Sequence, residues 1–520
     1  MNTSEFVSIF NDVLGPVMRG PSSSHTAGSY HIAKVGRTLL GEPPVRAVFS
    51  FDPDGSYAAT YRQQNADKAF AAGLMEWDLN DDRFGRALDI AAEMGLDIRF
   101  RVVPLDGADH PNTVKIDLAG RSGRELRVLA KSTGGGGFLV QQIGDWAVSI
   151  DGKSYETFVM LDKNDLSGIE KILNSAGEIP HLSEDSHQEA VLLSWSGREP
   201  LPEALLREFE GASCLKAIWI VKPVFYVRKG TELFRSAEEM VQYAAERQWT
   251  LGQAALHYEA QLLGMSLQEI KGEMARRYRI MAAAVELGLR EDNVRMKFLK
   301  PSAGRVMEAE KTGSLAAGGI HARAAAGALS VLHMGNSGGV ICAAPTGGSS
   351  GVIPGVVTAL AGARGMDQDQ IGLALFAAGA IGLVIARRAT FAAEVAGCQV
   401  EIGAAGAMAA AGVVEAAGGS ARQAVNAAAI ALQNTMGSVC DLVQGSCEIP
   451  CHTRNAVAAS SAFTCADLVL GGYRNPIPLD DTIDAAFAVG KMLPPELLCT
   501  SQGGLAVTPS AMALGRAKKY

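Results

Sequence analysis

The stretch GSVCDLVQGSCEIPCHTRNA, residues 437–456, holds Cys440, Cys447 and Cys451, three of the eight cysteines in the chain. Crowded thiols suggest metal or redox chemistry, or simply small side chains sharing a core. Cys398, in EVAGCQVEIGAAG, lies 42 residues before Cys440 (440 − 398), and Cys451 lies 11 after it (451 − 440). No C-x-x-C pair occurs, so spacing excludes a zinc ribbon and a thioredoxin-type motif. Thiolates on separate loops can still converge on an iron-sulfur cluster. Three of them would leave one iron open to a substrate oxygen; spacing alone does not distinguish this from scattered buried thiols. Cys214, Cys342, Cys465 and Cys499 stand apart and read as small buried hydrophobes.

Three polar loops offer a different chemistry. GPSSSHTAG, Gly20 to Gly28, presents Ser22, Ser23, Ser24, His25 and Thr26. These hydroxyls, an imidazole and free backbone amides suit a small carboxylate or phosphate, while the same serines could equally cap the following helix. DHPNT places His110, Asn112 and Thr113 around a rigid proline, and STGGGG presents Ser132, Thr133, Gly134 and Gly135 as a donor-rich loop able to wrap an anion. That loop lacks the Gly-Lys-Ser/Thr ending of a nucleotide P-loop, so ATP and GTP are not supported.

The elements that must position these residues fall into two compositional regimes. A chain of 520 residues is expected to divide into two to four domains. Up to about residue 150 strand-like runs (VRAVFSF, DIRFRVV, NTVKIDLAG, ELRVLAKS, GDWAVSIDG) alternate with helical spacing (ADKAFAAGLMEW, GRALDIAAEMG), which predicts an α/β domain over 1–152. Residues 153–225 read strand, helix, strand, helix, strand. One further short strand would complete a ferredoxin-like βαββαβ module of the ACT type. From 226 to 520 nearly all periodicity is helical, and beyond residue 300 Ala and Gly dominate, so an all-α domain with tightly approaching helices is expected.

Composition narrows the partners. Lys and Arg number 47 against 55 Asp and Glu, a net charge of −8, and no basic stripe with aromatics appears, so nucleic acid is not an expected partner. The first twenty residues lack a signal-peptide pattern, which predicts a cytoplasmic protein. The apolar run Ile371 to Ala386 falls short of the roughly 20 residues of a membrane span and reads as a buried core helix.

At these residues the chain resembles the bacterial iron-sulfur L-serine dehydratases, with β-type and α-type parts fused. The resemblance runs through GPSSSHT, HPNT and STGGG, then through ICAAPTGGSSGVIPG, AGCQVEIGAAGAMAAAG, VCDLVQGSCEIPCHTRNA and LPPELLCTSQGGLAVTP. It implies a [4Fe-4S] cluster on Cys398, Cys440 and Cys451, with Cys447 incidental. It also implies substrate binding by Ser22, Ser23, Ser24, His25, Thr26, Asn112, Thr113, Ser132, Thr133, Gly134 and Gly135, with His25 and His110 as candidate catalytic bases. The implied reaction is loss of the β-hydroxyl of L-serine to give pyruvate and ammonia, in a cytoplasmic homodimer.

The chain departs from the family pattern at Gln64, where a histidine is usual, at KPSAGR (Lys300 to Arg305), and at Leu442 after Cys440-Asp441. These departures motivate a second expectation, the same dehydration on another small β-hydroxy acid or amino acid. A third, from a different class, is a non-catalytic small-molecule sensor.

Overall fold

The computed structural model describes residues 6–165, 167–168, 170, 182–187 and 189–514. Its strands, in chain order, are β1 Val17–Arg19, β2 Pro44–Phe51, β3 Asp97–Val102, β4 Thr113–Gly120, β5 Glu125–Gly134, β6 Gly137–Ile143, β7 Trp146–Ile150, β8 Tyr155–Asp162, β9 Leu182–His187, β10 Ala190–Gly197, β11 Leu215–Val221 and β12 Val340–Cys342. The chain is thus multidomain, with a mixed β-sheet region followed by a region that is helical apart from β12.

The first sheet has the order β3-β2-β4-β5-β6-β7, with β2 and β3 parallel and the remaining pairs antiparallel. Each strand-like run in the sequence became a strand, and β6 joined them unannounced. Inward residues alternate along β4 and β5, as a sheet with one covered face requires. Helix Gly28–Leu40 covers that face, and helix Ala66–Leu74 packs on it in turn. STGGGG is not a free loop. Ser132 and Thr133 end β5, and Gly134, Gly135 and Gly136 turn the chain into β6 with φ of 97°, 62° and 95°, a left-handed path that favours glycine.

The second sheet is antiparallel in the order β11-β8-β10-β9, and helix Glu203–Glu210 connects β10 to β11. The helix expected over SGIEKILNSAG lies outside the described residues apart from 167–168 and 170.

In the helical region, Thr250 with Gln253, Ser266 with Glu269, Asp367 with Gln370 and Ser420 with Gln423 each form a reciprocal capping box. Helix Ile402–Ala416 is buried over Ile402 to Glu415 and packs against helices Gln368–Arg388, Ala421–Gln433, Val352–Arg364 and Cys451–Leu470. Helix Gln368–Arg388 passes a membrane-span test on length and composition, yet 72% of its apolar window is buried inside the protein, so it is packed as a core helix.

The N-terminal segment does not stay with the first sheet. Val7, Ile9, Phe10, Val13 and Leu14 lie in the helical core, and β1 pairs antiparallel with β12, Met18 opposite Ile341. The Glu259 carboxylate takes the amides of Ile9 (2.8 Å) and Phe10 (3.0 Å) and the Ser8 hydroxyl (2.5 Å), so the polar groups of this buried turn are satisfied. Gly382 permits the approach, because a Cβ there would lie 2.1 Å from Val13 Cγ1. Replacing it should therefore overpack the joint. Gly382→Ala is expected to lower stability by about 1–3 kcal/mol, read as a lower urea midpoint with an unchanged slope.

Candidate functional site

β1 delivers the chain directly into GPSSSHT. Ser23–Ala27 makes one turn of π-helix, and the Ser22 hydroxyl accepts the His25 amide at 3.1 Å, so this serine does cap the turn. The same hydroxyl stands 3.3 Å from His25 Nδ1, while Nε2 faces Ser56 Oγ at 3.1 Å and Thr60 Oγ1 at 3.0 Å. Thr60 donates its own proton to the Ser56 carbonyl (2.7 Å) and Ser56 donates to the Cys499 carbonyl (3.3 Å). With both hydroxyl protons committed, the network assigns the proton of a neutral imidazole to Nε2. Burial, reinforced by the nearby His110, pushes His25 down to about 3, so the ring is neutral at physiological pH.

His110 accepts the Asn112 amide at Nδ1 (3.1 Å), and burial followed by Lys131 lowers it to about 4. Asn112 is fully buried and donates through Nδ2 to Glu394, a carboxyl of the helical region that also bonds Ser24. Its Oδ1 has no partner. A buried carbonyl oxygen left unpaired beside a buried carboxyl makes a pair of acceptors suited to an ammonium group. Burial raises the Glu394 carboxyl above the ordinary range.

Not every expected residue faces this point. Thr26 donates to the Gln64 carbonyl (2.8 Å), Thr113 to the His110 carbonyl (2.8 Å) and Ser132 to the Gly137 carbonyl (3.3 Å), so these hydroxyls hold backbone. Thr133, Gly134 and Gly135 line a cleft of about 910 Å³ together with Arg387 and Phe391. Ser23 accepts the Gly347 amide at 3.2 Å and thereby meets the APTGGSSG loop of the helical region.

The thiols complete the arrangement from below. Cys398 opens a short 3-10 turn after Gly397, and Cys451 opens helix Cys451–Leu470. Cys440 is held against the chain end, its amide bonded to the Leu497 carbonyl (2.8 Å) and its carbonyl to the Cys499 amide (2.9 Å). Contact with the Cys398 and Cys499 thiols, then burial, holds Cys440 well above the usual thiol range; contact with Cys451, then burial, does the same for Cys447. Contact with Cys447 lowers Cys451, but burial together with the neighbouring Cys398 and Glu401 outweighs it, and the thiol is raised. Cys398, Cys440 and Cys451 therefore share one buried neighbourhood, and two further thiols border it. Cys499 is buried, as isolated small residues usually are, but it is not isolated.

Among the described residues no set of three or more His, Cys, Asp or Glu side chains is arranged to close on a single metal ion. The thiol set fits a wider group, for it is buried, all-sulfur and faced by a cation, Arg454, whose Nη1 lies 3.6 Å from Cys398 Sγ. Glu401, three residues after Cys398, keeps some exposed surface; its carboxyl accepts the Thr346 hydroxyl at 2.5 Å, and burial pushes it up to about 7. Ser56 and Thr60 carried no motif signal, and Glu394 and Glu401 stood in the EVAGCQVEIGAAG stretch without being singled out. Only their contacts with His25, Asn112 and Thr346 reveal them.

The chain's sequence similarities agree with this geometry. A family model described as serine dehydratase alpha chain matches residues 236–506, just over half of the chain. A probable L-serine dehydratase alpha chain of Bacillus subtilis is 36% identical over 282 residues, 54% of this chain and 94% of the relative. An L-serine dehydratase alpha chain of Peptoniphilus asaccharolyticus is 34% identical over 285 residues, 55% of this chain and 98% of the relative. A probable L-serine dehydratase beta chain of Bacillus subtilis is 41% identical over 151 residues, 28% of this chain and 65% of the relative.

Glu394→Ala strips Asn112 Nδ2 of its buried acceptor. A loss of about 1–3 kcal/mol in urea unfolding is expected, smaller for Glu394→Gln, which keeps an oxygen in place.

Proposed function

Because this chain belongs to the serine dehydratase alpha-chain family and joins an α-type and a β-type part in one polypeptide, we propose that it is a lyase converting L-serine to pyruvate and ammonia. Loss of the Cα proton and the β-hydroxyl gives aminoacrylate, which tautomerises to an imine and is hydrolysed. The observation that carries this reading is the meeting of two half-sites: the Ser56 hydroxyl donates to the carbonyl of Cys499, whose thiol touches Cys440, and Asn112 donates to Glu394.

Cys398, Cys440 and Cys451 are the residues proposed to hold a [4Fe-4S] cluster. When bound, such a group supplies a Lewis acid that makes the β-hydroxyl a feasible leaving group. Other steps fall to side chains. Asn112 Oδ1, Glu394 and Ser24 suit the substrate ammonium. Ser22 and His25 are the residues proposed to take its carboxylate, with Ser56 and Thr60 holding the imidazole in place. Two neutral imidazoles lowered to about 3 and 4 serve better as fixed donors than as bases at neutral pH. Glu401, pushed up to about 7, is the carboxyl suited to accept the Cα proton there.

The second sheet with helix Glu203–Glu210 supports an ACT-type module over 153–225, set between an α/β domain over 1–152 and an all-α domain over 226–520. Residues 6–19 cross from the first of these to the third. A homodimer is part of the same proposal.

Four measurements test the reading. Anaerobically reconstituted protein should be brown and should release pyruvate from L-serine; dehydration of a related β-hydroxy acid without pyruvate from serine would replace the substrate. Cys398→Ala, Cys440→Ala and Cys451→Ala should each abolish colour and activity, whereas Cys447→Ser should keep both. Glu401→Gln should lower kcat by about 100-fold or more at unchanged iron content. The wild-type rate should rise with pH through about 7, because the base acts only when deprotonated.

A further inference from the structure

Arg454 lies on the first turn of helix Cys451–Leu470, three residues after Cys451 and on the same face. Its side chain is three-quarters buried, at 26% exposure. Nη1 donates to the Val439 carbonyl at 2.8 Å and stands 3.6 Å from Cys398 Sγ; Nη2 lies 3.0 Å from Asp441 Oδ1. Burial works against its charge, but the combined pull of Cys398, Asp441, Cys451 and Cys440 outweighs that and raises its pKa. One guanidinium therefore stands against Cys398 and feels the charge of all three thiols proposed to hold the cluster.

The fork is itself held. Asp441, 3% exposed and adjacent to Cys440, accepts the Leu505 amide at Oδ2 (2.8 Å). Gly504 presses so close that a Cβ would fall 2.5 Å from that oxygen, and its φ of 60° is left-handed. The GGLA turn, Asp441 and Arg454 make a relay that ends on the sulfurs. Three thiolates gathered out of water bring negative charge that costs several kcal/mol per ion unless paired. Arg supplies a planar, permanently charged donor set for that purpose. Charge and hydrogen bonds at the sulfurs are also what tune an iron-sulfur group.

We propose that Arg454 is the counter-cation of the thiol set, a positioning residue that governs how firmly and at what potential the cluster is held, and that Asp441 and the Gly504–Leu505 turn aim its guanidinium. This rests on the [4Fe-4S] reading above.

The experiment compares anaerobically reconstituted full-length wild type, Arg454→Met, Arg454→Lys and Asp441→Asn. Iron release to a chelator and the cluster midpoint potential are measured for each. Arg454→Met is expected to release iron about 10–100-fold faster and to be harder to reduce, because a nearby positive charge has gone. Arg454→Lys keeps the charge without the fork and should fall between; Asp441→Asn removes the aim of the guanidinium and a negative charge together, so it should speed iron release without making the cluster harder to reduce. Wild-type release and wild-type potential in Arg454→Met would overturn the inference. A wild-type chain that takes up no iron would instead overturn the cluster reading. Should Arg454→Met melt early without its cluster, Arg454→Lys decides by the same two measurements, and wild-type values of both in it overturn the inference; a merely structural role would leave the potential unmoved.

Discussion

The antiparallel pairing of Val17–Arg19 with Val340–Cys342 is the joint on which the site depends. On one side it follows a turn clamped by Glu259 into the helical core; on the other it releases the chain at Gly20 into the serine-histidine turn. The partner strand runs within two residues into the APTGGSSG loop, so the two loops meet at Ser23 and Gly347. Three residues of pairing would be marginal alone. Here the apolar side chains of residues 7–14 anchor one end, and burial in the helical core supplies the stability that the short ladder lacks.

The meeting surface is polar and dry, which gives its charges unusual weight. Burial drives the imidazoles there neutral and the carboxyls at Glu394 and Glu401 toward protonation, while neighbouring thiols, then burial, drive up Cys440 and Cys447, and burial with Cys398 and Glu401 drives up Cys451. Arg454 keeps its charge because it faces the thiols and Asp441. Such a site suits a small zwitterion that brings its own ammonium and carboxylate to groups lacking partners, and Asn112 Oδ1 is one of these. The family similarity and the geometry thus lead to the same substrate class by separate routes.

Much of this was legible in the chain itself. Alternating strands and the buried run at Ile371–Ala386 rest on short-range periodicity, and they appear where periodicity places them. The motif residues Ser22 to His25, Asn112, Cys398, Cys440 and Cys451 could be singled out as candidates by type and, for the cysteines, by the family resemblance. Sequence was silent where a role depends on distance along the chain. Glu394 is ordinary until Asn112, 282 residues away, donates to it, and Cys499 is a lone cysteine until the Cys440 backbone pairs with it. The polar hydroxyls misled in the other direction. Thr26, Thr113 and Ser132 look like ligand donors, but each spends its proton on a nearby carbonyl, as short hydroxyl side chains commonly do.

What sequence determined by itself was the chemistry available: sulfur ligands, hydroxyl and imidazole donors, and elements able to carry them, because residue type and local period act over a few residues. Only the tertiary structure decided which of them share a site. It brought Cys440 to Cys499, Glu394 to Asn112 and Arg454 to Cys398 and Asp441, and it set Thr133 and Gly135 in the wall of a cleft shared with Arg387 and Phe391. The reason is that such pairings are selected by the packing of whole helices and by burial of the N-terminal turn, terms that no local stretch of sequence contains.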